Sequence, residues 1–159
     1  MRYMNKSMKQ INKDIFDEIN IEAVDISGIE NIVTPNIVNI NECYILDLEN
    51  ELSSKNINWN RLMKMHGDRT GYEASCNELR INDYVDDNKT RDEILIYGLR
   101  SLHSWKDKLK RDYPNQKFVL ILSVNEKFVT LRFHAKREGE NWLSSDLERY
   151  QESILVEEL

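Results

Sequence analysis

Residues that interrupt regular secondary structure are scarce in this chain, which has 5 glycines and 2 prolines among 159 residues. The glycines are scattered, so the sequence has no glycine-rich phosphate-binding loop of the P-loop or dinucleotide-binding kind. Asparagine tolerates left-handed backbone and bonds to nearby backbone groups, so we expect it to form many of the turns. No repeat, low-complexity tract or linker divides the sequence, which predicts one domain over residues 1–159.

Cysteine and histidine are also rare. The two cysteines, Cys43 and Cys76, lie far apart and lack the CxxC spacing of zinc sites, so we predict buried, reduced thiols. The three histidines, His66, His103 and His134, show neither HxH nor HExxH spacing. The sequence therefore predicts no metal site and no cofactor, and it predicts that His103 is a packed or boundary residue of a helix. A cysteine–histidine pair formed only in the folded chain stays open.

Long apolar runs are missing as well. No stretch approaches the roughly 18 apolar residues that a membrane-spanning helix needs. The first residues, MRYMNKSMKQ, include a basic residue but no apolar segment behind it, so we expect no signal peptide. These absences predict a bacterial cytoplasmic protein with no membrane partner.

Positive charge is in deficit, since 28 acidic residues stand against 22 basic ones and the net charge is −6. Binding to nucleic acid needs clustered positive charge, so we expect no nucleic acid partner. A basic protein partner fits better, because opposite charges speed the encounter of two proteins and reject wrong partners. Solubility alone remains the other explanation for this charge.

Helical periodicity marks several segments. Ser7 and Gln10 have the spacing of a capping box, and the apolar stripe that follows consists of Met8, Ile11, Ile15 and Ile19. The helix-favouring end of ECYILDLENELSS predicts a helix over residues 42–54. A further helix is predicted between Asn58 as N-cap and Gly67 as its stop. The alternation in GYEASCNELRI, in contrast, indicates a strand.

The best-specified helix begins after Thr90. Thr90 and Glu93 again have capping-box spacing. The apolar stripe that follows consists of Leu95, Leu99, Leu102, Trp105 and Leu109. Basic residues near its end suit the helix dipole, and Pro114 disfavours continuing the helix.

The C-terminal third contains strand patterns. FVLILSV is apolar on both faces, as expected of a central strand that is covered on both sides. FVTLRFHA alternates and is predicted to expose Thr130, Arg132 and His134, and the short NEK turn between the two runs indicates a β-hairpin. SILVEEL is predicted to return as an edge strand. Together these patterns predict an α+β fold, with a mostly antiparallel sheet and a C-terminal β-hairpin packed against several helices.

Two segments combine acidic residues with an aromatic residue, a composition that suits contact with a basic protein. The aromatic ring supplies buried area in such a contact, and the charges steer the partner. The segments are NDYVDDNKTRDE and REGENWLSSDLERY. The candidate partner-binding residues are Asp83, Tyr84, Asp86, Asp87, Glu138, Glu140, Trp142 and Asp146. A solvated surface and a cover for the sheet edge remain the alternatives.

An enzymatic alternative rests on two other sets of residues. His134 and Arg132 are candidates for an acid–base group and an anion clamp. Asp87 and Lys89 have the acid-x-lysine order of Mg²⁺-dependent nucleases, with Glu73 as a second carboxylate. However, DDNK is typical of a turn, and a solvated strand face also explains the alternation around His134.

The sequence FVTLRFHAKREGENWLSSDLERYQESILVEEL, the last fifth of the chain, resembles small stand-alone bacterial immunity proteins of polymorphic or contact-dependent toxin systems. The resemblance implies a cytoplasmic, non-catalytic protein that binds a secreted toxin domain, often a nuclease, and blocks its active site. It assigns no residue roles, because such families differ in where they bind. A phage-encoded acidic inhibitor that mimics nucleic acid is a further alternative.

Overall fold

The computed structural model describes residues 1–11, 13, 15–52 and 58–159. The helices are α1 (Lys6–Ile11), α2 (Ile15–Glu18), α3 (Glu30–Val33), α4 (Trp59–His66), α5 (Arg69–Cys76) and α6 (Arg91–Asp112). The strands are β1 (Arg2–Met4), β2 (Ile37–Ile40), β3 (Cys43–Leu46), β4 (Leu79–Arg80), β5 (Phe118–Asn125), β6 (Phe128–Ala135) and β7 (Ser153–Glu158). Short 3₁₀ turns lie at Ile21–Ala23, Ile81–Tyr84 and Leu147–Arg149.

A five-stranded antiparallel sheet forms the centre of the fold, with the strand order β1-β7-β5-β6-β4. Leu122 at the middle of β5 pairs with Leu131 of β6 on one side and Leu155 of β7 on the other. The strands β2 and β3 form a separate two-stranded sheet. The predicted α+β fold and the predicted hairpin of β5 and β6 are thereby confirmed.

The helix α6 covers one face of the larger sheet, which we call the core face. Thr90 and Glu93 form both hydrogen bonds of the predicted capping box, and the predicted apolar stripe of α6 is buried. The indole of Trp105 donates a hydrogen bond of 2.8 Å to the carbonyl of Ile32, which ties α3 to α6. Gly98 lets α6 approach closely, because a Cβ there would lie 2.9 Å from Cγ1 of Val129.

The opposite face of the larger sheet, which we call the outer face, carries a small apolar cluster. Ile121 of β5 lies there beside Ile154 and Val156 of β7, and all three are buried. The loop between β6 and β7 packs Leu143, Leu147 and Tyr150 against them. The central strand β5 is therefore covered on both faces, as its apolar run predicts.

The helix predicted over residues 42–54 is wrong, because Cys43–Leu46 is strand β3, and residues 53 and 54 lie outside the described residues. Asn41 and Glu42 both have left-handed backbone, with φ of 51° and 64°. Two successive left-handed residues favour the tight hairpin that joins β2 to β3. Pairing with β2 therefore outweighed the local helix propensity of the segment.

The strand predicted within GYEASCNELRI is also wrong over most of its length. Residues Arg69–Cys76 form α5, whose N-cap Asp68 accepts a hydrogen bond of 2.7 Å from the amide of Gly71. Tyr72, Glu73 and Ala74 are buried in succession, so burial here does not alternate from one residue to the next as it would in a strand. Only Leu79–Arg80 of this stretch is a strand, and it forms β4 at the sheet edge.

Both chain ends differ from prediction in detail. The first helix is capped by Asn5 rather than Ser7, since Oδ1 of Asn5 accepts a hydrogen bond of 3.0 Å from the amide of Met8. The last strand, β7, is not at an edge, because β1 pairs along its outer side.

The predicted stop of α4 at Gly67 and its N-cap at Asn58 are confirmed. Each helix that the structure describes is too short or too polar to span a lipid bilayer.

Candidate functional site

The most polar part of the interior surrounds Glu73, which is fully buried on α5. Oε1 of Glu73 accepts hydrogen bonds from the amide of Tyr44 at 2.8 Å and from Nη2 of Arg137 at 2.7 Å. Oε2 accepts from the amide of Ala135 at 2.6 Å and from Nη1 of Arg137 at 3.0 Å. Both carboxylate oxygens are thus engaged, and Arg137 balances their charge.

Asn77, one helical turn after Glu73, repeats this arrangement with an amide. Its Oδ1 accepts a hydrogen bond of 2.8 Å from the amide of Leu46. Its Nδ2 donates to the carbonyls of Tyr44 at 2.7 Å and Phe133 at 3.1 Å. Glu73 and Asn77 therefore bond to the edges of both β3 and β6, where a neighbouring strand would otherwise pair.

His134 is buried, contrary to the prediction that it is exposed on β6, because α5 packs against this strand. Its Nδ1 lies 2.9 Å from the carbonyl oxygen of Ala135 and donates a hydrogen bond to it. Burial lowers the pKa of His134, although the Ala135 carbonyl and the charge of Glu73 act in the opposite direction. His134 is therefore a neutral, internally bonded side chain at neutral pH, and lacks the exposure that an acid–base group needs.

The two cysteines have different surroundings. Both are free thiols. Cys43 is buried as predicted, and burial together with the nearby charge of Glu73 raises its pKa to about 11. A thiol with so high a pKa is protonated at neutral pH and is a weak nucleophile. Cys76 is exposed, so its predicted burial is wrong. It lies in the last turn of α5, where the sequence predicted a strand.

The residues of the nuclease alternative lie apart. Glu73 bonds to Ala135 at the end of β6, whereas Asn82 bonds to Val129 at its beginning, about 20 Å away along the strand. Asp87 is exposed and lies beyond Asn82 in the chain. Within the described parts of the chain, no three histidine, cysteine or acidic side chains converge in a way that could hold a metal ion.

The first acidic segment lies near the β4 edge of the larger sheet. Asp83 and Tyr84 belong to a 3₁₀ turn, and Asp86 and Asp87 lie in the loop that leads to α6. All four side chains are exposed, and Tyr84 has 37% of its surface accessible. This segment therefore presents an aromatic ring and carboxylates to solvent, as the sequence predicts.

The second acidic segment divides into internal and exposed residues. Oε2 of Glu140 accepts hydrogen bonds from the Thr70 hydroxyl at 2.7 Å and the Thr70 amide at 3.2 Å, so this side chain anchors the loop to α5. Asp146 is exposed and accepts a hydrogen bond of 3.1 Å from the amide of Glu148. Glu138 and Trp142 are exposed, and Trp142 has 39% of its surface accessible.

Trp142 borders an open groove of about 420 Å³ on the outer face of the sheet. Its lining includes Arg132, Trp142, Leu143, Tyr150, Glu152 and Ile154. The guanidinium of Arg132 lies 5.3 Å from the centre of the Trp142 ring and is held by Glu78 at 2.8 Å. We call this feature the Trp142 groove; it combines an apolar and aromatic floor with a polar rim.

The sequence placed Trp142 and Tyr150 in one acidic segment, but it did not identify Glu152 and Ile154 as their neighbours in the groove. Alternation along β6 does place Arg132 on the outer face, and alternation along β7 places Ile154 there. The sequence does not show that β5 pairs with β7 as well as with β6. These two pairings bring Arg132 of β6 and Ile154 of β7 onto the same face of one sheet. Tyr150 is oriented by its hydroxyl, which accepts a hydrogen bond of 2.9 Å from the amide of Ser144.

Comparison with known proteins places the chain in a family. The Uncharacterized protein PM0498 family matches residues 3–159. The chain belongs to this family. Uncharacterized protein PM0498 of Pasteurella multocida strain Pm70 is 30% identical over 166 residues, which cover 99% of this chain and 98% of that protein. The match to the PM0498 family spans both sheets, α5 and the Trp142 groove. No solved structure matches the chain.

Proposed function

We propose that this member of the PM0498 family is a non-catalytic immunity protein that binds a basic toxin domain and occludes its active site. The observation that carries the proposal is the Trp142 groove, an open surface lined by an exposed indole, by Tyr150 and by the carboxylate of Glu152. The buried reactive groups support it as well. Glu73 is occupied by backbone amides and Arg137, and His134 is bonded to Ala135.

The chemistry of the groove favours a cationic side chain from the partner. The face of an indole attracts cations, and Arg132 already lies over the Trp142 ring. Glu78 holds Arg132, and the exposed Glu152 adds a carboxylate to the rim. We therefore expect a lysine or arginine of the toxin to enter between Trp142, Tyr150 and Glu152.

The first acidic segment supplies a second contact in this proposal. Asp83, Asp86 and Asp87 are exposed around Tyr84, and they add to the negative charge that draws in a basic protein. Glu138 and Asp146, which are exposed in the segment that carries Trp142, do the same, whereas Glu140 is engaged with Thr70 and takes no part. The proposal places the protein in the cytoplasm of the bacterium that makes the toxin.

The test is co-expression with the toxin domain encoded beside the gene, together with purification of the complex. Trp142→Ala and Glu152→Gln should each weaken the complex about tenfold or more, as expected for residues at the centre of an interface. Met65→Ala is the control, since Met65 is an exposed apolar residue (68% accessible) on α4, outside the groove and both acidic segments. Glu49→Gln, at another exposed position outside these surfaces, is the corresponding carboxylate control.

Three results would contradict the proposal. One is a complex that both groove variants leave unchanged, and another is a partner with an acidic contact surface. The third is cleavage of a phosphodiester or other substrate by the purified protein that His134→Ala or Asp87→Ala abolishes. Competition between DNA and the chain for a host defence protein would favour an inhibitor that mimics nucleic acid instead.

A further inference from the structure

A second groove, of about 460 Å³, lies on the solvent side of α6, away from the sheet. The residues of α6 that line it are Arg100, His103, Ser104, Asp107, Lys108 and Arg111. Glu22, from the turn after α2, and Thr34, at the end of α3, form the opposite side. Because α6 separates this groove from the sheet, it is independent of the Trp142 groove and of the function proposed for that groove.

Arg100 has an unmet bonding requirement. Its Nε is buried and has no hydrogen-bond partner within the described residues. A guanidinium is always charged in proteins, and a buried N–H without an acceptor costs free energy. The acidic residues of the groove do not serve it, because Glu22 and Asp107 point to Nε2 of His103, at 3.7 Å and 3.4 Å.

Other donors surround Arg100. Ser104 lies one helical turn further along α6, so its hydroxyl is on the same face of the helix. Lys108 and Arg111 follow on this face, and both share Asp112, at 2.8 Å and 3.0 Å. One carboxylate thus serves two cations, while the other carboxylates of the groove, those of Glu22 and Asp107, lie beside His103. The basic side chains available to an anion are Arg100, Lys108 and Arg111.

We infer that the α6 groove binds a small oxyanion, a phosphate or carboxylate group, with Arg100 as its principal ligand. A guanidinium matches two oxygens of such a group at once, and the hydroxyl of Ser104 adds a further donor. Lys108 contributes charge from the next turn of the helix. On binding, the Arg100 side chain would turn its buried Nε toward the ligand, and a ligand oxygen would accept the hydrogen bond that Nε lacks.

The experiment titrates inorganic phosphate, and in a separate arm citrate, into the full chain while amide chemical shifts are recorded by NMR. Sodium chloride at matched ionic strength separates binding from screening. Saturable shifts along α6 with phosphate identify a phosphate site, and saturable shifts with citrate alone identify a carboxylate site. The inference is overturned if neither anion gives saturable shifts there.

Variants decide whether Arg100 is responsible. Arg100→Gln should weaken binding at least tenfold. Arg100→Lys should weaken it less, because lysine keeps the positive charge but lacks the paired N–H donors of a guanidinium. Ser104→Ala, which removes only a hydroxyl, should weaken binding severalfold and covers the case that Arg100→Gln does not fold. Arg91→Gln is the matched control, because Arg91 lies on α6 outside the groove and pairs with Asp92. Equal affinity in the Arg100 variants and the wild type would overturn the assignment.

Discussion

Nη2 of Arg137 lies 2.7 Å from Oε1 of Glu73, in an ion pair whose carboxylate is fully buried and whose guanidinium is 18% exposed. The same carboxylate accepts the amide protons of Tyr44 and Ala135. The pair therefore joins α5 to both sheets, and its charges offset each other away from water. Removing one member leaves the other charge buried without compensation.

Replacement of Glu73 should accordingly be costly. Glu73→Gln should lower the free energy of unfolding by about 3 to 5 kcal/mol, because Arg137 loses its counter-charge and the new NH₂ group faces an amide donor. Urea unfolding followed by circular dichroism measures the loss. Glu78→Gln is the control: Glu78 pairs with Arg132 at a more exposed position, and its loss should cost less than about 1 kcal/mol. Equal costs for the two variants would contradict this account.

Asn77 should tolerate no acidic replacement. Asn77→Asp puts a carboxylate oxygen where Nδ2 now donates to the carbonyls of Tyr44 and Phe133. We expect a loss of about 2 kcal/mol or more, and faster hydrogen exchange at the amide of Leu46. Asn39→Asp, at an exposed position of β2, should leave both measurements near wild type. Unchanged exchange at Leu46 in the Asn77 variant would count against the bridging role.

His134 should make stability depend on pH. Burial lowers its pKa below the ordinary value of about 6.5, so the unfolded chain takes up a proton before the folded one does. The contribution of neutral His134 is thus fully present above about pH 6.5 and is lost as the pH falls below that value. Urea unfolding between pH 5 and pH 8 should show this slope in the wild type. It should be reduced in His134→Gln and retained in Thr130→Ala; an unchanged slope in His134→Gln would refute the assignment.

Gly98 should resist enlargement. A Cβ there would lie 2.9 Å from Cγ1 of Val129 and 3.0 Å from Cδ1 of Leu122, so a larger side chain must push α6 away from the sheet. Gly98→Leu should cost about 1 to 3 kcal/mol despite the better helix propensity of leucine. Gly98→Ala should cost less, because only one methyl group must be accommodated. Thermal unfolding ranks the variants, and a leucine variant as stable as the wild type would show that the contact is not tight.

The parts of the fold that the sequence predicts correctly are those fixed by neighbours in the chain. The helix α6 carries its own capping box, which fixes where it begins, and its own apolar stripe, which fixes the face that it buries. The hairpin of β5 and β6 has two strand patterns on either side of a short turn. In each case the decisive contacts join residues that are close in sequence.

The errors arise where distant residues decide the structure. Burial of Glu73 on α5 depends on Arg137, 64 positions further along the chain, so a sequence pattern that treats a carboxylate as exposed cannot place the helix correctly. The strand β3 depends on the left-handed turn at Asn41 and Glu42 and on pairing with β2.

The candidate sites show the same limit. Exposure of Trp142 was predictable from its acidic surroundings, whereas its groove needed the pairing of β5 with β7. The engagement of Glu140 with Thr70, 70 positions away, had no signal in the sequence. The α6 groove likewise depends on Glu22 and Thr34, which reach it through the packing of the Ile21–Ala23 turn and of α3 on α6.

The placement of Glu73 and Asn77 along β6 also bears on self-association. Sheets grow into fibrils when a strand of another molecule aligns with a free edge. Beyond β4, the backbone of β6 is already bonded to side chains of a helix, so a foreign strand finds no continuous row of free amides and carbonyls there. Mutations that detach α5 should therefore make the protein prone to aggregation, as well as less stable.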